Sequence, residues 1–356
     1  MRISVVACEL PHPDGTAAGR DLWAWCEGAR TLGHEVDAWV WYVSRSSPEG
    51  TIPSWCRYEP FSTDTDWRAR VHHLWRPRDE LARSGWEPAP GAVAVADHYP
   101  SFAAVLPFER SVVTFHLRSL LDAWAVRHLR PTDVQVARAE WIASRRAGLS
   151  LAYSQRVGRH LGTSPRIVPI AYPTPSESIT PVEEPVAALI ADWSWPPNRR
   201  SLHFLLKNWA DVRRRVTGAQ LLLAGRNLGD TGIGAEKGIE LIGAVSNSTE
   251  VLSRAAVVAF PCPSSSGPKM KVLEALSYGL PVVSTPPGLE GVFAPPGSGS
   301  VVASPHNFVQ ALSELLLNPE QRAMLGKSGR EAVIANHSPT ASAQARIDAI
   351  RDAFSL

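Results

Sequence analysis

The strongest constraint on this chain is a repeated alternation: a short apolar run, a loop rich in Gly, Pro or Asp, then an amphipathic stretch, first near the amino terminus and again after residue 185. RISVVAC reads as a buried strand, ELPHPDGTAAG as a turn-rich loop, RDLWAWCEGARTLGH as an amphipathic helix ending near Gly33, and HEVDAWVWYV as the next strand. A strand, helix, strand crossover of this length makes both strands parallel in one sheet. Further apolar runs at 93–96, 112–115 and 149–153 each end in a polar residue. That puts Asp97, His98, His116 and Ser154 at the carboxyl edge of the sheet, where parallel sheets bind ligands.

Near Ile170 the texture changes to AYPTPSESITPVEEP, which has the composition of a linker. The alternation then resumes. VAALIADW, AQLLLAG, GIELIGAV, VVAF, PVVST and SVVA read as strands; SLHFLLKNWADVRRR, STEVLSRA, MKVLEALSYG and PHNFVQALSELL read as helices. The economical account is two Rossmann-like αβα domains, at residues 1–170 and 186–338, joined by a linker at 171–185. Residues 339–356 form a terminal helix with apolar Ala345, Ile347, Ile350 and Phe354, which packs on its own domain or returns to the first. The Trp-rich stretch at 67–86 takes no assignment from its pattern.

Composition narrows the function classes. Apolar residues make up 44% of the 356, and 36 basic against 34 acidic residues leave a net charge of +2, which gives no polycationic signal for nucleic acid. Cys8, Cys26, Cys56 and Cys262 form no CxxC pair, so buried thiols in a reducing compartment are expected. The opening MRISVVACELPHP is too short in apolar residues for a signal peptide or a span, so a cytoplasmic chain with no stable membrane insertion is expected. No HExxH occurs and the cysteines are dispersed, so no metal is expected. PDGTAAG places Gly15 and Gly19 in a Gly-x3-Gly loop, not the GxGxxG of a nicotinamide enzyme.

Residues 260–292, FPCPSSSGPKMKVLEALSYGLPVVSTPPGLEGV, hold the densest chemistry. A loop containing Gly267 runs straight into a helix, whose first amides suit a phosphate. Three- and four-residue spacings put Lys271, Glu274 and Tyr278 on one helix face, with Met270, Leu273 and Leu276 as the buried stripe. A cation for diphosphate oxygens beside a carboxylate for ribose hydroxyls suits a nucleotide-sugar. A solvated Lys and Glu pair on a surface helix is the plainer alternative. Only five of the 36 basic residues are lysine, and both Lys269 and Lys271 fall in this segment.

This segment, with WPPN, LLLAGR, IELIGAV and VVAFPCP before it, resembles the nucleotide-sugar signature of the GT4-like retaining glycosyltransferases, the glycosyl transferases group 1. The resemblance implies a GT-B fold, two Rossmann-like αβα domains facing each other across a deep cleft, with the acceptor on the amino-terminal side. It matches Glu274 to the second carboxylate of the family's Glu-x7-Glu motif, the ribose contact, while the first carboxylate's position holds Ser266. It makes Lys271 the preferred diphosphate clamp, with amides near Gly267 and Gly288, and Arg226 a second candidate after LLLAG. The neighbourhood where the family has an Arg and a Lys reads ADWSWPPNRRS, without the usual Gly-Arg and Lys-Gly pairings, so Arg199 or Arg200 at the helix start is either a phosphate contact or a solvated side chain. Gly15 is expected near donor phosphate or acceptor, Thr285 near the phosphate, and Glu290 near the donor base or diphosphate. His116 resembles the histidine that contacts the transferred sugar.

The implied activity is metal-independent transfer, with retention, from a UDP-, GDP- or dTDP-linked sugar to a hydroxyl of a small-molecule or glycan acceptor, in natural-product or polysaccharide biosynthesis. His116 and Lys271 are the catalytic candidates. Two rivals remain at this stage. A sugar-nucleotide epimerase would convert the donor without acceptor, and a nonenzymatic nucleotide-sugar-binding partner would bind donor without transfer.

Overall fold

The computed structural model describes residues 1–41, 52–58, 86–98, 101–116, 120–121, 123, 129–234, 236–264, 267–295 and 297–356. Most of the Trp-rich stretch, and Ser266, lie outside the described residues. The chain divides into two compact units, one of Met1–Pro173, Ser266–Pro268 and His337–Leu356, the other of Thr174–Ser265 and Lys269–Asn336.

The first unit carries β1 (Arg2–Ala7), α1 (Ala17–Thr31), β2 (Glu35–Val40), β3 (Cys56–Tyr58), β4 (Val93–Ala96), α2 (Phe102–Val105), β5 (Ser111–Phe115), α3 (Pro131–Arg146), β6 (Leu149–Ala152), α4 (Gln155–Arg159) and β7 (Arg166–Ile167). The strands form one parallel sheet in the order β3-β2-β1-β4-β5-β6-β7. The middle strands are buried on both faces: β4 and β5 are sealed along their whole length. That is why they read as continuous apolar runs. Helix α1 starts where the Thr16 hydroxyl accepts the Gly19 N–H at 3.1 Å, a cap worth about 1 kcal/mol. It buries Leu22, Trp25, Cys26 and Ala29, and each large side chain contributes about 1.5–3 kcal/mol.

The second unit carries β8 (Val186–Ile190), α5 (Pro196–Arg215), β9 (Gln220–Ala224), β10 (Ile239–Gly243), α6 (Thr249–Leu252), β11 (Val257–Phe260), α7 (Met270–Ser277), β12 (Val282–Ser284), β13 (Ser300–Val302), α8 (Phe308–Leu316) and α9 (Pro319–His337). Its strands are parallel in the order β10-β9-β8-β11-β12-β13. In both sheets the chain reverses direction of addition between the first and fourth strands, creating a switch point where crevices open at strand carboxyl ends.

The Pro- and Ser-rich residues after Pro173 are fixed to the second unit by two arginines of α9. Arg330 donates to the carbonyls of Pro175 at 2.9 Å and Ser176 at 3.1 Å and to that of Ser277. Buried Arg322 donates to those of Val182 at 3.1 Å and Glu183 at 2.8 Å. A stretch poor in large apolar side chains is ordered here through its backbone.

The last helix, α10 (Pro339–Phe354), packs against α1 in the first unit. The approach is so close that a Cβ on Gly28 would lie 1.9 Å from the Pro339 carbonyl oxygen. Only glycine fits there. Arg346, Ile347 and Ile350 of α10 are buried.

Candidate functional site

At the switch point of the second sheet, β8 leads into the ADWSWPPN loop. Buried Trp193 anchors this loop by donating Nε1–H to the Ala224 carbonyl at 2.9 Å. Asn198 opens α5 with its amide oriented at both ends: Nδ2 donates to the Asp192 carbonyl at 2.7 Å, and Oδ1 accepts from Lys271 Nζ at 2.6 Å. Lys271, on α7, also lies over the Phe260 ring at 4.4 Å, a cation–π contact. One turn on, Glu274 accepts from the Ser248 hydroxyl at 2.8 Å. Lys271 and Glu274 line a pocket with Ala188, Leu189, Ile190, Leu252 and Val258.

The expected face of Lys271, Glu274 and Tyr278 is half-buried, and Leu273 and Leu276 are fully buried beneath it. Met270 is only half-buried, and Val272 and Ala275 complete the stripe in its place. Burial, helped by the Lys269 charge, lowers the Lys271 ammonium to about 8 despite the opposing pull of Asp192 and Glu274. Sequence reasoning missed Asn198 and Ser248 as partners. Asn198 lies in α5 and Ser248 just ahead of α6, and the WPPN element pointed to Asn198 without giving its contact.

The remaining expected donor contacts fall out differently. Arg226 is exposed, pairs with Asp192 at 3.3 Å, and stands at the same strand end as Asn227, which donates to Asp192 at 3.0 Å. Burial would raise the Asp192 carboxyl, but hydrogen bonds from Ser194 and Asn227 and the Arg226 charge bring it below its usual value. Arg199 donates to the Trp193 carbonyl at 2.6 Å. Thr285 is buried and gives its single hydroxyl proton to the Cys262 carbonyl, so that proton serves the β11 to β12 junction instead of a phosphate. The Gly288 amide is likewise committed, to the Thr285 carbonyl at 2.9 Å, and a Cβ there would meet Ser284 Oγ at 2.1 Å. Glu290 is half-buried at the end of the turn Pro286–Leu289. Gly267 is buried with φ +72° just ahead of α7.

In the first unit, His116 follows β5 and is buried. Its Nε2 lies 3.4 Å from Asp97 Oδ1 and 3.9 Å from Asp21 Oδ2. Its ring stands 4.9 Å from that of His98 and 4.8 Å from that of Tyr153. Burial alone would lower the His116 pKa; the Asp97 charge and hydrogen bond, with Asp21 behind, outweigh it and raise the value. His98 moves the other way, well down, through burial and the His116 charge.

Asp21 is fully buried on α1. It accepts from the Ala171 N–H at 2.7 Å, from Arg346 Nη2 at 2.8 Å and from the Tyr153 hydroxyl. Asp97, His98 and His116 were readable as strand-end residues. Asp21, Tyr153 and Arg346 were not, because they lie 132 to 325 residues apart in sequence. Ser154 caps α4 by accepting the Val157 N–H at 3.0 Å. Gly15 is half-buried in the loop before α1, and its carbonyl accepts from Arg20 at 3.1 Å.

One ligand atom from each of Asp21, Asp97 and His116 falls within 4.8 Å of the others. The Arg346 guanidinium already supplies the cation on Asp21. The chain also carries an Asp-x-Asp, Asp64-Thr65-Asp66, outside the described residues. Among the described residues no helix is long and apolar enough to cross a membrane.

Comparison with known proteins agrees with this architecture. Residues 184–318 match the family model of the glycosyl transferases group 1. No curated protein matches the chain. Among solved structures, sucrose-phosphate synthase from Thermosynechococcus elongatus superposes with a TM-score of 0.74 at 14% identity, covering 99% of this chain and 100% of that one. HepE of Anabaena, in complex with UDP-glucose, gives 0.70 at 14% identity over 100% of both chains. WaaG, a glycosyltransferase involved in lipopolysaccharide biosynthesis, gives 0.61 at 13% identity over 99% of this chain and 100% of that one. With two parallel sheets flanked by helices and the group 1 signature across most of the second unit, this is a GT-B chain resembling the enzymes that move a sugar from a nucleotide-sugar to an acceptor.

Proposed function

We propose that the protein is a retaining glycosyltransferase that uses a UDP-, GDP- or dTDP-linked sugar and a hydroxyl of a small-molecule or glycan acceptor. The observation that carries this reading is the Lys271 ammonium, held by Asn198 and Phe260 at the switch point of a doubly wound sheet, one helical turn from Glu274. Glu274 accepts from the ribose hydroxyls and Lys271 meets the diphosphate. As the bond from the anomeric carbon to the diphosphate oxygen breaks, negative charge grows on that oxygen and the ammonium stabilises it. The acceptor oxygen bonds to the anomeric carbon on the same face, and its proton passes to the departing phosphate. His116 supports the transferred sugar. The complex of Anabaena HepE with UDP-glucose makes a uridine-linked donor the first to try.

The test is a nucleotide-sugar panel read by thermal stabilisation of the purified chain, then mass analysis of products with candidate acceptors. A stabilising donor whose effect is lost in Lys271→Ala and Glu274→Ala supports the assignment. Unchanged donor binding in both variants sinks it.

A further inference from the structure

Among the described residues, the ionisable groups around His116 are Asp21 from α1, Asp97 and His98 after β4, Tyr153 after β6, and Arg346 from α10, with Cys26 of α1 beside Asp21, Asp97 and Arg346. Asp21 receives hydrogen bonds from Arg346, Ala171 N–H and Tyr153, and the Tyr153 oxygen in turn accepts from Arg346 at 2.7 Å. Burial pushes the Asp21 carboxyl up, and the Arg346 guanidinium pulls against that; three donors on its oxygens favour the ionised form. Asp97 is a second buried carboxyl in the same cluster, and among the described residues the groups that meet Asp21 and Asp97 there are one guanidinium, that of Arg346, and the imidazole of His116, whose Nε2 faces both carboxyls.

We propose that Asp97 and Asp21 are positioning residues that hold His116 as an imidazolium, with Arg346 of the terminal helix as the counter-ion that keeps Asp21 charged. In this state Nε2–H donates to Asp97 and Nδ1–H is a second donor. Once the ring is neutral, with Nε2–H kept for Asp97, Nδ1 becomes an acceptor. The same histidine therefore shows a ligand opposite hydrogen-bonding character on the two sides of its titration. The consequence for turnover rests on the reading of His116 as a sugar contact; the protonation state does not.

NMR titration of the imidazoles of the full chain, with His116 assigned through His116→Gln, tests the proposal. The His116 midpoint is expected above the ordinary value of about 6.5. Asp97→Asn lowers it by about one pH unit or more, and Asp21→Asn lowers it less. In transfer assays kcat falls as pH rises through the midpoint, and Asp97→Asn moves that limb down with it. Arg346→Met separates the counter-ion role by sign. The midpoint falls if Asp21 then takes up a proton, as proposed; it rises if Asp21 stays charged alone, which overturns that part. Asp97→Asn keeps the side-chain volume and leaves the Arg346 pair intact, so it carries the test where the Asp21 or Arg346 variants fail to fold. A wild-type midpoint at or below the ordinary value, or one that Asp97→Asn leaves in place, overturns the proposal. Normal turnover of His116→Gln alongside a raised wild-type midpoint rejects only the sugar contact.

Discussion

The two sheets share one strand order up to the switch point, yet the two units arm that point in opposite ways. In the first, Asp21, Asp97, His116 and Arg346 are all buried, and their ionisable side chains meet one another. In the second, Lys271 and Glu274 are half-buried and bond to a neutral amide and a neutral hydroxyl. The difference is one of use. Ionisable groups packed against one another in a sealed interior fix the orientation of a side chain, whereas a half-buried ammonium held by a neutral amide is the arrangement proposed above for a ligand.

The largest expected effect breaks the comparison on stability. Arg346→Ala leaves the buried Asp21 carboxyl without its counter-ion, to be protonated or left charged in a sealed interior, and should cost about 3–5 kcal/mol of unfolding free energy, read by urea denaturation. Lys271→Ala removes a half-buried charge that burial disfavours and should not lower stability; an equal loss in both variants would erase the distinction.

Acid sharpens the contrast next. His337 is buried, donates Nδ1–H to the Ile170 carbonyl at 2.8 Å, and has a pKa lowered to about 4 by that burial. A histidine depressed on folding contributes stability that is present above its unfolded value of about 6.5 and is lost as pH falls through the folded one, here about 3 kcal/mol. His337→Asn should flatten this acid limb in pH-dependent unfolding.

The second unit is expected to respond at the other end of the pH scale, and in binding. Lys271→Ala should weaken nucleoside diphosphate binding by about 10- to 100-fold, the value of a hydrogen bond to a charged group. Wild-type affinity should fall as pH rises through about 8, where the ammonium is lost, and Lys271→Arg should hold its affinity there because guanidinium stays charged. Calorimetry across pH checks both statements. The smallest effect belongs to Arg226. Its pair with Asp192 is exposed, so Arg226→Ala should change stability by less than about 1 kcal/mol. A large loss of donor affinity in that variant would extend the binding surface to the end of β9.

Much of the architecture was legible because parallel strands buried on both faces leave continuous apolar runs between Gly, Pro and Asp. The outer strands β3 and β7 were not legible. Cys56–Tyr58 and Arg166–Ile167 are short and only partly buried, so no run marks them. In the site, Lys271 and Glu274 could be paired because helical spacing is local information. Asn198, Ser248, Asp21 and Arg346 could not, since tertiary packing brings them to their partners. The terminal helix shows the limit well: its apolar residues suggested a packing face, and Arg346 on that same face carries the charge that reaches Asp21.

The switch point of the second sheet is proposed to bind a nucleoside diphosphate through Lys271 and Glu274. Isothermal titration of UDP, GDP and dTDP into the wild-type chain, Lys271→Ala and Glu274→Ala tests it most directly. Saturable binding of at least one nucleotide to the wild type is expected, weakened in both variants while their unfolding transitions stay in place. Binding of the same affinity in all three proteins, or no binding of any of the three nucleotides to the wild type, would contradict it.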